Sequence, residues 1–116
     1  MVNYGHTHHA YSPEEYETGA KWYDGKPVYQ RTLYRSGSMV SNGDYAFPTL
    51  IKGVENVVDI RGIAHNTTIG GWHPVNWHYR DDCYMRCQYE SPYIRFMPVG
   101  CELDMVCVTI EYTKTE

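Results

Sequence analysis

The stretch Met105–Lys114, MVCVTIEYTK, decides the fold. Val106, Val108, Ile110 and Tyr112 fall on one side of an extended chain, while Thr109, Glu111 and Thr113 point to the other. Successive side chains of a strand face opposite ways, so this alternation marks a strand with one face in a core and one toward water. The same period recurs upstream. Cys83, Met85, Cys87 and Tyr89 alternate with Tyr84, Arg86 and Gln88. From Pro27, Val28, Gln30, Thr32 and Tyr34 oppose Tyr29, Arg31 and Leu33, and in VENVVDIRGI, residues 54–63, Val58 and Ile60 oppose Asp59 and Arg61. Tyr93–Met97 and Val75–Arg80 are also extended in character. Turn chemistry separates these runs at Asp24-Gly25, Ser36-Gly37-Ser38, Ser41-Asn42-Gly43-Asp44, Gly70-Gly71, Ser91-Pro92 and Pro98-Val99-Gly100. Roughly seven short strands with turns every 8 to 12 residues or so describe an all-β antiparallel sandwich or jelly-roll-like domain.

Helix has one candidate start, at Ser12-Pro13-Glu14-Glu15. Ser would be the N-cap, Pro the first helical residue and the acids its first turn, so one or two turns are expected before Gly19. Residues 1–15 are expected to form an N-terminal arm and residues 16–116 the β-sandwich domain. At 116 residues the chain forms one domain with a core that needs neither metal nor disulfide.

Composition narrows the function classes. The net charge is −4, without the clustered Lys and Arg that phosphate backbones attract, so nucleic acid is not an expected partner. No apolar run reaches the roughly 20 residues of a membrane-spanning helix, and MVNYGHTHHAYS does not read as a signal peptide. A protein that stays off membranes and outside the secretory route is therefore expected, with Cys83, Cys87, Cys101 and Cys107 as free thiols. Cys83 and Cys87 lie roughly 13 Å apart along one strand, beyond the roughly 7 Å that a disulfide spans between Cα atoms. Asn66-Thr67-Thr68 matches a glycosylation acceptor, which has meaning only in a eukaryotic secretory pathway.

The run Thr18–Leu33, TGAKWYDGKPVYQRTL, joins an aromatic, a tight turn and a strand. Gly25 supplies positive φ at the Asp24-Gly25 turn and Pro27 opens the extended segment. With its lead Tyr11-Ser12-Pro13-Glu14-Glu15, this run resembles the opening of a small β-rich module at the C-termini of phage tail-fibre, head-fibre and other minor structural virion proteins. GVENVVDIRGIA, residues 53–64, resembles that module's Val-x-Asp-Ile-x-Gly strand, and VTIEYTKTE, residues 108–116, its closing Ile-x-Tyr-Thr-Lys-Thr strand. The resemblance implies a non-enzymatic virion domain, a homotrimer that contacts other virion proteins or the host surface and is assembled in the bacterial cytoplasm. It also implies structural roles for Trp22, Asp24, Gly25, Pro27, Tyr29, Asp59, Gly62 and Tyr112. Such modules usually follow a long shaft, so this chain reads either as a stand-alone small virion protein or as a piece of a longer one. The cysteines and the segment Trp72–His78 lie outside the pattern.

Chemistry is sought in GGWHPVNWHY, residues 70–79. Trp72, Trp77 and Tyr79 could stack on sugar faces, with His73, Asn76 and His78 hydrogen-bonding hydroxyls and the glycines presenting the loop. This makes a carbohydrate-binding module for bacterial surface glycans the alternative function. The first expectation for Trp72 and Trp77 is nevertheless that they are core or subunit-interface residues. An exposed Trp72 beside an open groove favours the sugar; burial of both favours packing.

His6, His8, His9, His73 and His78 could meet as a zinc or nickel site on a trimer axis, but Cys83-x3-Cys87 and Cys101-x5-Cys107 lack metal spacing, and no cofactor or metal is expected. Asp81-Asp82, with Glu102 or Asp104, is the one acidic group of interest, for catalysis or calcium. Adjacent acids on a strand point apart, and no nucleophile elbow, phosphate loop or His-Glu-x-x-His is present. No catalytic residue is expected.

Overall fold

The structure, a computed structural model, describes residues 11–115. The chain runs β1 (Tyr16–Lys21), β2 (Pro27–Met39), β3 (Tyr45–Ala46), β4 (Val54–Asn66), β5 (Trp72–Pro74), β6 (His78–Arg80), β7 (Cys83–Glu90), β8 (Tyr93–Val99) and β9 (Leu103–Lys114). Two antiparallel sheets, ordered β1-β2-β9-β4-β5 and β3-β8-β7-β6, curl into a half-barrel of β-sandwich type. The all-β expectation holds.

Strand β9 lies at the centre of the larger sheet, between β2 and β4. Val106, Val108, Ile110 and Tyr112 are fully excluded from solvent, as their alternation requires. Each contributes about 1.5–3 kcal/mol relative to an exposed side chain. Opposite them, β7 and β8 turn in Met85, Cys87, Ile94 and Phe96, and the loops add Phe47, Ile51 and Val75. Arg86, Gln88 and Arg95 remain on the other face. β8 runs on through Pro98, which the sequence placed in a turn. β3 pairs only with Phe96 and Arg95, so Pro98 needs no N–H on that edge, and its carbonyl accepts from Asn42 N at 2.6 Å.

The expected helix at Ser12-Pro13-Glu14-Glu15 is absent among the described residues. Ser12 Oγ does accept from Glu14 N at 3.1 Å, the contact a cap would make. The chain then continues as β1, because pairing with β2 satisfies backbone groups that a single helical turn leaves open. Of the arm expected over residues 1–15, residues 1–10, with His6, His8 and His9, lie outside the described residues. Thr32 N donates to Ser12 O at 2.7 Å, and Arg31 Nε to Pro13 O at 2.7 Å.

The Asp24-Gly25 turn closes the β1–β2 hairpin. Gly25 has φ +86°, its N–H reaches Trp22 O at 2.8 Å, and Asp24 Oδ1 accepts from Lys26 N at 3.0 Å. Trp22, expected to help hold the domain together, is half-buried at the hairpin tip against Tyr23 and stands outside the core cluster. Along this hairpin burial begins at Val28. Tyr29 packs on Tyr112 with ring centroids 6.4 Å apart, and exposed Asp59 bonds Arg61 at 2.9 Å.

Gly62 has a steric role. A Cβ there would overlap the Cys107 carbonyl oxygen and lie 2.9 Å from Val108 Cα, so β4 and β9 approach as they do only around glycine. The Gly62→Ala variant is expected to lose about 3 kcal/mol of stability in urea unfolding, because the central strand pair must spread.

Tyr112 carries a second tie. Its hydroxyl donates to Glu15 Oε1 at 2.6 Å while Lys114 Nζ reaches Glu15 Oε2 at 2.7 Å. Burial pushes the Glu15 carboxyl up, but the Lys114 and Tyr112 hydrogen bonds outweigh it and hold the group below its ordinary value of 4.5. A carboxyl depressed by folding adds stability above its unfolded pKa and loses it as pH falls through the folded one. The stability advantage of wild type over Glu15→Gln is therefore expected to shrink on acidification from neutral to about pH 3, in urea titrations at each pH.

Candidate functional site

Residues 70–79 cross from one sheet to the other. β5 adds to the edge of the larger sheet beside β4, and β6 to the edge of the smaller beside β7. Between them Val75 plugs the core at 2% exposure, its N–H bonded to Gly62 O at 3.0 Å. Trp77 O accepts from Met85 N at 2.8 Å, and Asn76 Oδ1 from Cys87 N at 2.9 Å. The crossing is thus anchored to both sheets. Gly70 and Gly71, at φ +79° and +94°, make the turn that feeds it.

This path divides the six candidate residues. Trp72 is 57% exposed and tilts against His65, ring centroids 4.7 Å apart, on the outer face of the larger sheet. His73 stacks on Trp77 at 4.4 Å, Trp77 on Tyr79 at 5.9 Å, and the Arg80 guanidinium sits 5.2 Å over Tyr79. His78 stacks instead on Tyr84 at 5.7 Å. A groove of about 530 Å³ is lined by Asn76, Trp77, His78, Asp81, Tyr84 and Arg86, among others. Trp77 and His78 therefore meet at one groove, while exposed Trp72 lies off it. Asn76 lines the groove, but its carbonyl oxygen is committed to the β7 backbone.

Tyr84 and Arg86 were not singled out from the sequence as groove residues. They face outward on β7, which alternation does show; that β6 and the Asp81 turn would wall them in is a tertiary fact. Asp81 and Asp82 are exposed turn residues, Asp81 at 3.5 Å from His78 Nε2 and Asp82 at 2.7 Å from Arg80 Nε. Asp82 holds the Arg80 guanidinium above its ordinary range. Asp104 bonds His65 Nδ1 at 2.8 Å across the other sheet. Among the described residues no three of His, Cys, Asp or Glu gather as a metal site. Burial pushes the Cys87 thiol up to about 12, which leaves it without thiolate character at neutral pH.

A second surface emerges from strand register. Tyr34, Cys107, Ile63 and Pro74 sit side by side across β2, β9, β4 and β5 on the outer face. The next row toward one end is Ser36, Met105, His65 and Trp72; toward the other, Thr32, Thr109 and Arg61, then Gln30, Glu111 and Asp59. The face is thus apolar at one end and polar at the other. Tyr34, Ile63 and Trp72 are 64%, 46% and 57% exposed, and a depression beside them is lined by Tyr11, Arg61, Ile63, Cys107 and Thr109.

Asn76→Ala is expected to cost about 1–3 kcal/mol in urea unfolding by orphaning the Cys87 N–H, whereas Trp72→Ala, on an exposed face, should leave the midpoint nearly unchanged. No family model matches this chain, and no curated protein or solved structure matches it.

Proposed function

We propose that this chain is a non-enzymatic β-domain of a bacteriophage particle, a head-fibre, decoration or tail-fibre component that packs against copies of itself and against other virion proteins. The three ordered segments 18–33, 53–64 and 108–116 support the virion setting through their resemblance to fibre modules. The observation that carries the packing role is the outer face of the larger sheet. Its row Tyr34, Cys107, Ile63 and Pro74, continued by Met105 and Trp72, is an apolar band spanning four strands. A contiguous apolar band rimmed by charge is a contact surface in proteins of this size. Around a threefold axis such a band is covered by its neighbours. Light scattering is expected to give three times the 13.5 kDa chain mass, reduced to the single mass by Ile63→Asp. A single-chain mass for wild type at working concentration argues against the trimer.

A second reading, recognition of bacterial surface glycans, is favoured by the stacked rings of His73, Trp77 and Tyr79 beside the groove of Trp77, His78 and Tyr84. An aromatic platform edged by Asp81 and Arg86 suits a sugar ring and its hydroxyls. Under this reading, binding on a glycan array is abolished by Trp77→Ala and retained by Trp72→Ala. No binding by wild type, together with labelling of intact capsids by an antibody to the chain, selects decoration instead.

A further inference from the structure

The thiols fall into three environments. Cys87 faces the core from mid-β7, and Cys107 lies on the outer face of the larger sheet between Tyr34 and Ile63. Cys83 opens β7, and Cys101 follows β8. The pairing of Tyr84 with Val99 sets Gly100 across from Cys83. A Cβ on Gly100 would overlap the Asp82 carbonyl oxygen and lie 3.2 Å from Cys83 Cα, so the two backbones touch where only glycine fits. That approach carries the next residue, Cys101, over the same point. Its Sγ stands 3.9 Å from Tyr84 O, on the residue next to Cys83, and the Cys83 thiol lies near enough to act on the Cys101 thiol. Both are buried, at 2% and 1% exposure.

The third member of the cluster is Asn66, 1% exposed. Its Oδ1 accepts from Thr68 N at 2.9 Å and Ile69 N at 3.1 Å, which fixes the direction of the amide. Nδ2 is then left buried with no hydrogen-bond partner, and Asn66 lies near enough to Cys101 to act on its thiol. Burial raises the Cys101 thiol above its ordinary value and the Asn66 amide only partly offsets this, so the thiolate forms there when the neighbouring turn opens to water.

We infer that Cys83 and Cys101 form a reversible disulfide that locks the open end of the β7–β8 hairpin, with glutathione disulfide or a similar small disulfide as the oxidant. Cys101, as thiolate, attacks one sulfur of the oxidant, and the first glutathione leaves with the proton that Cys101 gave up. Cys83, deprotonated in turn, attacks Cys101 Sγ in the mixed disulfide and expels the second glutathione. Two S–H bonds and the oxidant's S–S bond break; one protein S–S bond and two glutathione S–H bonds form. The protein loses two electrons and two protons, and glutathione disulfide gains both. Asp81 and Asp82 form the exposed turn beside the pair, so exchange requires opening of that turn and is faster in sub-denaturing urea.

The test uses the full chain with Cys107→Ser, since Cys101 and Cys107 share one tryptic peptide, residues 96–114. It is equilibrated with excess glutathione disulfide in sub-denaturing urea, alkylated and digested. The expected product joins peptide 81–86 to peptide 96–114 and, once urea is removed, melts roughly 10 °C higher, a shift reversed by dithiothreitol. Adding Cys101→Ser removes both the link and the shift. Should that variant fail to fold, the count of alkylatable thiols in the denatured, oxidised Cys107→Ser chain decides: one remaining, at Cys87, supports the pair. Three remaining thiols, or a link that uses Cys87, overturns the inference.

Discussion

The burial of one face of β9 is the constraint on which the rest of the molecule depends. Val106, Val108, Ile110 and Tyr112 lose all contact with water only because the smaller sheet and the residue 40–53 loop lie over them. The same strand supplies the ladder to both β2 and β4, so side-chain burial and backbone pairing act on one element. Gly62 permits the close approach of β4, and Glu15 ties the segment before β1 to Tyr112 at the far end. Removing a side chain from this row would open a cavity between the sheets and loosen the centre of the larger one.

The segment joining the sheets carries the candidate groove for the same reason. A chain that must step from the edge of one sheet to the edge of the other turns one residue, Val75, into the core and leaves its neighbours at the rim. Aromatic side chains at a rim stack on one another, since their faces cannot all be covered from below. The order His73, Trp77, Tyr79 and Arg80 follows from this step. Asn76 becomes structural because the β7 N–H groups facing the crossing need acceptors.

Strands β4, β7 and β9 were legible from alternation, since each has one face in the core, and β8 was legible up to Pro98. β2 was legible as far as Tyr34; Ser36-Gly37-Ser38 reads as a turn, but the strand passes through it with a register shift and pairs on with β9 to Met39. β1 was not legible. The local chemistry of Ser12-Pro13-Glu14-Glu15 favours a helix start, and only the pairing of Tyr16 and Glu17 with β2 overrides it. Trp22, given a structural role by the resemblance, is half-buried against Tyr23 and takes no part in the core cluster. Of the candidate site, the residue types were legible and their grouping was not. Alternation does set Trp72 and His73 on opposite faces of β5, but that His73 then meets Trp77, on the crossing to the other sheet, was not legible.

The sequence by itself determined that the chain is all-β, where its principal strands lie and which of their faces turn inward, because period-two patterning is a local consequence of strand geometry. It also determined the Asp24-Gly25 turn, where positive φ calls for glycine. Only the tertiary structure decided which strands are neighbours, and so which residues meet. The row of Tyr34, Cys107, Ile63 and Pro74, the groove of Trp77 and Tyr84, and the adjacency of Cys83 to Cys101 all join residues brought together by pairing between distant segments. Strand order and register carry that information, and no local pattern does.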